Sequence, residues 1–301
     1  MSVAPAALIM LAVSVQFALQ APVNARLAVS TGPVPAALVS FLVGLGGLAL
    51  AVLVSGGVGG LADIGGVAAW ELVGGVIGAS FVLIALLTVP VVGAGGVAAA
   101  TITGQMVGSI VLDSRGAIGL DVEPVTVARA VGAALLLAGT VLILRRGRGP
   151  EATVGGAGRR LAGALIVVAG LALATQAPIN AALGETIGGL EAALVNFVVG
   201  SLVLAVVVIA GRSAAGVPAA LEVPRRYLAG GLIGAVYVAA SVLLVRTIGA
   251  GGLAATTITG QLAASVALDH FGVLGLDRRP LTALRAGAVA LLLAGTFLIV
   301  A

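Results

Sequence analysis

Long apolar runs fill this chain from end to end, parted only by short clusters of arginine, proline, glycine and acidic residues. A helix needs about 20 apolar residues to cross roughly 30 Å of hydrocarbon. Ten runs meet that length, at approximately 2–24, 34–54, 67–89, 93–112, 126–144, 161–183, 190–210, 228–247, 249–268 and 283–301. Barrel strands would alternate apolar and polar residues over about 10 positions, whereas Ala133 to Leu144 contains a single hydroxyl and no charge. The pattern therefore predicts an all-α integral membrane protein with ten transmembrane helices. Run 1 lacks a preceding positive residue and is too long for the apolar core of a signal peptide, so it is read as a membrane helix.

Composition narrows the function classes. Apolar residues make up 60% of the 301 and charged residues 9%, with a mean hydropathy of +1.26. A soluble domain carries roughly 25% charge, so lipid is the expected partner. Aromatics at 3% argue against a nucleic-acid stacking surface. Cysteine is absent and His270 is the single histidine, so no metal site, cofactor or cysteine nucleophile is expected. No nucleophile and base, metal cluster or phosphate loop supports an enzyme. The 46 glycines suit lipid, where small residues let helices approach closely. Gly74-x-x-x-Gly78 and Gly230-x-x-x-Gly234 are read as such packing faces.

The chain also repeats itself. At a constant offset of 156 residues, Gln20 falls on Gln176 and Thr140 on Thr296 with no gap. Between Gly93 to Asp113 and Gly249 to Asp269, 14 of 21 positions are identical, among them Thr, Gln, Ser and Asp in register. Shared apolar composition does not explain those polar matches. We expect a first five-helix repeat over 1–145, an Arg/Gly-rich linker over 146–160, and a second repeat over 161–301. Five crossings per copy is an odd number, so the second copy enters from the opposite side. Two inverted repeats form the scaffold of many secondary transporters, with the solute site at their interface.

Arginine sets the orientation. The connectors after runs 1, 5, 7 and 9 hold Arg26, Arg145, Arg146, Arg148, Arg159, Arg160, Arg212, Arg225, Arg226, Arg278, Arg279 and Arg285. The other side holds Arg115, Arg129 and Arg246. Twelve against three predicts both termini outside the cytoplasmic membrane.

Polar residues inside the runs are the candidate site. Thr101, Gln105, Ser109 and Asp113 follow one another at four-residue spacing, as do Thr257, Gln261, Ser265 and Asp269. Such residues share one helix face, and an unpaired polar group in hydrocarbon costs several kcal/mol. Each stripe therefore faces protein or water, lining a cavity or bonding to another helix. Gly104 and Gly260 precede the glutamines and leave room beside them. Runs 1 and 6 end in Gln20-Ala-Pro-Val-Asn24 and Gln176-Ala-Pro-Ile-Asn180. Pro22 and Pro178 free the carbonyls one turn earlier, and broken helices flanked by amides are features of transporter sites; equally, these residues could simply finish each helix. Asp113 and Asp269 are the repeated carboxylates within the runs, read either as coupling groups or as solvated helix ends. Midplane arginine is missing, which favours a small neutral or zwitterionic polar solute over an anion.

These motifs bring in a family resemblance. Gly104-Gln105-x-x-x-Ser109-x-x-x-Asp113-x-x-Gly116-x-x-Gly119, its copy from Gly260-Gln261 to Asp269-His270-Phe271-Gly272-x-x-Gly275, and both Gln-Ala-Pro-x-Asn segments resemble the YdcZ-type inner-membrane proteins of the drug/metabolite transporter superfamily. That family includes five-helix proteins in oppositely oriented pairs and fused ten-helix forms; this chain is similar to the fused form. The resemblance implies a bacterial exporter that works as a monomeric pseudo-dimer or as a homodimer. It also implies cytoplasmic termini, against the arginine distribution. Small multidrug-resistance relatives carry a glutamate in the middle of the first helix, where Val13 to Ala18 offers only Ser14 and Gln16.

The reading is thus a secondary transporter of a small polar metabolite or drug-like compound by alternating access. Gln20, Asn24, Thr101, Gln105, Ser109, Gln176, Asn180, Thr257, Gln261 and Ser265 are its cavity. The same stripes also fit a passive polar pore, or a non-transporting assembly or lipid-interaction protein.

Overall fold

A computed structural model describes residues 1–144, 156–272 and 280–301. Most of the 146–160 linker, with Arg145, Arg146 and Arg148, lies outside the described residues, as do Gly275, Arg278 and Arg279. Nine α-helices occur among the described residues: α1 Val3–Phe17, α2 Gln20–Thr31, α3 Pro33–Ser55, α4 Val73–Arg115, α5 Val127–Leu144, α6 Gly156–Ile187, α7 Gly189–Ala210, α8 Ala229–Phe271 and α9 Ala283–Val300. Segments of 3₁₀ helix lie in the connectors between α3 and α4, α4 and α5, and α7 and α8, and no strand is present among the described residues.

Seven described stretches are long and apolar enough to cross a membrane: Val3–Thr31, Pro33–Ser55, Gly96–Arg115, Arg160–Ile187, Gly189–Ala210, Arg225–Phe271 and Ala283–Val300. Ala69–Ala85 and Val127–Leu142 are apolar but shorter. The expected tally of ten thus meets seven qualifying stretches. One of these, Arg225–Phe271, has 47 residues, or about 70 Å at 1.5 Å per residue, more than two hydrocarbon thicknesses. Gly249 breaks it with φ 70° and ψ 169°, a conformation essentially confined to glycine.

The first and sixth runs extend further than their polar ends predict. Helix α2 continues through Asn24 and Arg26 to Thr31, and α6 continues to Ile187. The stops are glycines with positive φ, Gly32 at 82° and Gly188 at 101°, which leave single-residue connectors to α3 and α7. Arg26 is therefore a helix residue, not a connector residue. The chain breaks before Pro22, between Phe17 and Gln20, whereas α6 runs unbroken through Pro178.

Compactness divides the chain differently from its sequence repetition. One unit comprises Met1–Ala18, Leu83–Thr175 and Leu244–Ala301; the other comprises Leu19–Val82 and Gln176–Leu243. Each unit draws equivalent segments from both sequence halves. In the first, α5 and α9 pack through glycine. A Cβ on Gly132 would lie 2.8 Å from the Gly295 carbonyl oxygen, and one on Gly139 would lie 2.9 Å from the Ala288 carbonyl oxygen. As α5 advances its contact on α9 retreats, so these equivalent helices run antiparallel. Leu136, Ile258 and Leu292 are buried around them.

The second unit shows the same relation between α3 and α7. The Phe41 and Phe197 rings, equivalent at the 156 offset, sit 5.1 Å apart. Each covers the glycine of the opposite helix: Gly44 lies under Phe197 and Gly200 under Phe41. This contact is again antiparallel. Apolar side chains such as Leu8 at 67% and Phe297 at 70% exposure point outward, as lipid-facing residues do.

Candidate functional site

Helix α4 carries the first polar stripe within the first unit. Thr101 is buried and its Oγ1 has no hydrogen-bond partner. Gln105 is half-buried. Ser109 is fully buried and donates to its own helix, at the Met106 carbonyl, over 3.0 Å. Asp113 ends the stripe. On α8 the second stripe runs through buried Thr257, half-buried Gln261, and Ser265, which donates to the Leu262 carbonyl over 2.8 Å. It ends at Asp269.

The room expected beside the glutamines is occupied. A Cβ on Gly104 would meet the Val167 carbonyl oxygen of α6 at 2.2 Å, and one on Gly260 would meet Ser14 Cβ of α1 at 2.6 Å. These glycines therefore let helices touch backbone to backbone, which is the packing role of small residues in lipid.

Asp113 is not a solvated helix end. Its side chain is 1% exposed. Oδ1 accepts from the Ala250 N–H at 2.7 Å and Oδ2 from the Gly251 N–H at 2.8 Å. Gly249 supplies the break that starts a new helical stretch there, so the carboxylate meets free N–H groups and the positive end of a helix dipole. Arg129 Nη1 stands 3.7 Å from Oδ2. A small, mostly apolar cleft adjoins them, lined by Met106, Ile110, Asp113, Val125, Arg129, Gly251 and Ile299. Of the expected site residues, only Asp113 lines it.

Asp269 keeps the arginine partner but is more open. Arg285 Nη2 donates to its Oδ2, and its side chain is 27% exposed. Arg129 and Arg285 are equivalent at the 156 offset, so an Asp–Arg pair spaced by 16 residues recurs in both repeats. Sequence reasoning assigned those arginines to orientation alone; the repeated spacing was the signal that they pair with the aspartates.

The amide segments lie in the second unit. Gln176 Nε2 donates to the Gly74 carbonyl at 3.0 Å and to Asn196 Oδ1 at 3.4 Å, and Asn180 Nδ2 donates to the same Oδ1 at 3.0 Å. Asn196 was missed as a site residue. Its equivalent is Ser40, and a polar residue at both positions was the available clue. Asn180 Oδ1 and Asn24 Oδ1 are buried without hydrogen-bond partners. Each presses on a glycine, Gly74 and Gly230, where a Cβ would lie 2.0 Å away. Gln20 and Gln176 similarly cover Gly234 and Gly78. The two Gly-x-x-x-Gly faces thus receive the two Gln-x-x-x-Asn segments, each from the other repeat. Weak Cα–H···O contacts are the chemistry available to those carbonyls.

The structure brings the expected residues into two groups, stripes in one unit and amides in the other. No group of three or more metal-ligating side chains occurs among the described residues.

Comparison with known proteins follows this geometry. A family model described as "Putative inner membrane exporter, YdcZ" matches twice, over residues 5–142 and 161–298. No curated protein matches the chain. A solved structure titled "Crystal structure of protein" aligns with a TM-score of 0.69 at 16% identity, covering 98% of this chain and 96% of that one. At that identity the likeness concerns the fold.

Proposed function

We propose, from the premise that this chain belongs to the YdcZ family of the drug/metabolite transporter superfamily, that it exports a small polar metabolite or drug-like compound by alternating access. As a family member it is a multi-pass inner-membrane transporter embedded in lipid; solute class, direction and mechanism are the proposed part. The observation that carries this reading is the antiparallel crossing of equivalent helices in each unit, α5 with α9 and α3 with α7. Two inverted copies of one fold can exchange conformations, and that exchange moves an opening from one membrane face to the other.

Gln105, Gln261, Thr101, Thr257, Ser109 and Ser265 are assigned as solute-binding residues of the first unit, and Gln20, Asn24, Gln176 and Asn180 as solute-binding residues of the second. The partly buried glutamines offer both donors and acceptors without net charge, which fits a neutral or zwitterionic solute. Asp113 and Asp269 are assigned as the carboxylates that couple the cycle. The fused pseudo-dimer needs no second copy, and both termini face outward as the arginines favour.

Flux in proteoliposomes tests the assignment, with a metabolite screen under imposed proton and sodium gradients supplying the solute. The Gln105→Leu/Gln261→Leu double variant is expected to lose most flux while remaining folded. Unchanged flux overturns the site. Flux that ignores every ion gradient and outruns a conformational cycle supports a passive pore instead. The absence of any solute-dependent flux leaves an assembly or lipid-interaction protein.

A further inference from the structure

Some polar positions that the two repeats share in sequence differ in their contacts. Thr259 and Thr296, on α8 and α9, are locked together. Their hydroxyls lie 2.6 Å apart, Thr259 Oγ1 is 3.1 Å from the Leu292 carbonyl oxygen and Thr296 Oγ1 is 3.1 Å from the Ala255 carbonyl oxygen, so one hydroxyl donates to the other and the accepting one donates to its own carbonyl. The equivalent pair on α4 and α5 is Thr103 and Thr140. Thr103 is exposed and bonds back to Ala99 of its own helix at 2.8 Å, while Thr140 Oγ1 is buried with no partner. A buried hydroxyl without a partner keeps its full desolvation penalty, so Thr140 lacks the match that Thr296 has.

The aspartates differ in the same sense. Asp113 is 1% exposed and caps the helical stretch that begins at Ala250. Asp269, in the same motif, is 27% exposed beside Arg285. The backbone N–H groups equivalent to those of Ala250 and Gly251 belong to Ala94 and Gly95, in the identical Gly-Ala-Gly-Gly segment of α4. All these residues lie within the first compact unit.

We propose that these four contacts form one reciprocal switch. The Thr259–Thr296 clasp closes together with Asp113 on Ala250 and Gly251, and opens when the Thr103–Thr140 clasp closes together with Asp269 on Ala94 and Gly95. The structure holds the first arrangement. The unmatched Thr140 hydroxyl and the more open Asp269 are the halves of the second. Because the two arrangements use identical groups in exchanged repeats, their energies are closely matched, which is what a bistable element requires. The switch rests on the alternating-access reading and names the contacts that alternate.

The chain has no cysteine, so engineered pairs can be oxidised cleanly in proteoliposomes. Thr259→Cys/Thr296→Cys and Thr103→Cys/Thr140→Cys are each expected to cross-link. In the four-cysteine protein, intact-mass analysis is expected to find one disulfide per molecule, at either pair but not both. Asp113→Asn should shift the ratio of the two products toward Thr103–Thr140 by about tenfold, the difference between a charged and a neutral acceptor. Asp269→Asn should shift it the other way, and the double variant should restore it. Failure of the Thr103/Thr140 pair to cross-link when the other goes to completion overturns the switch, as do two disulfides in one molecule. Asp113→Glu, which keeps the charge, serves if Asp113→Asn does not fold, and is expected to hold the ratio nearer the parent than Asp269→Asn does. Equal shifts from these two overturn the switch. Cross-linking needs no solute, so exclusive cross-links in protein that moves nothing keep the switch and remove the transport reading. Solute flux from molecules carrying both disulfides does the reverse.

Discussion

Gly170 and Gly163 lie on the same helix, seven residues apart, and the structure assigns them opposite responses to one methyl group. A Cβ on Gly170 would stand 2.4 Å from the Thr101 carbonyl oxygen and 3.1 Å from Thr101 Cα, whereas one on Gly163 meets nothing within 4 Å. Thr101 presents backbone there, so no side-chain rotation relieves the contact, and α4 and α6 must part by roughly 1 Å to reach ordinary separations. Overpacking of that kind costs about 1–3 kcal/mol. Gly163→Ala instead gains about 0.5–1 kcal/mol, because alanine loses less backbone entropy in a helix interior. At about 2–4 °C per kcal/mol, the apparent melting temperatures of Gly170→Ala and Gly163→Ala in detergent should differ by roughly 3–16 °C, with Gly163→Ala the higher. Gly104→Ala, the reciprocal position, should follow Gly170→Ala. Equal melting temperatures would refute the view that glycine in this protein buys close helix approach.

Two further substitutions probe the break in α8 and the amide cluster. Gly249→Ala places a side chain at φ 70°, ψ 169° with its Cβ 3.1 Å from Asp113 Oδ2; it should cost about 1–3 kcal/mol, read as a lower melting temperature, and a neutral result contradicts the strained break. Asn196→Leu removes the acceptor shared by Gln176 and Asn180, with an expected loss of about 1–3 kcal/mol. Asn196→Ser, which copies the equivalent Ser40, should lose less, and a reversed order contradicts the bridging role.

Helix type and duplication were legible because apolar run length and polar register survive in one dimension. Gln, Thr, Ser and Asp at offset 156 could be counted before any helix was placed. Helix ends were less legible. Asn24 and Arg26 look like terminators, yet α2 carries both and stops at Gly32, whose positive φ allows a one-residue turn. The seat of Asp113 was hidden for a different reason: its partners are backbone N–H groups 137 and 138 residues away, and no residue type announces them. Arg129 and Arg285 were visible as charge and not as partners, because spacing of 16 residues belongs to no helical periodicity. Gly104 and Gly260 illustrate the converse, since a bare glycine face reads equally as cavity wall or as contact until the neighbouring backbone is seen.

Inversion of the two halves underlies the whole account, and labelling of equivalent connector positions tests it most directly. Gly59 and Ala215 are equivalent at the 156 offset, and both are exposed. In intact cells, an impermeant maleimide is predicted to modify Gly59→Cys, while Ala215→Cys reacts only after the membrane is opened. Modification of both from the same face would contradict the inverted duplication and the transport cycle built on it.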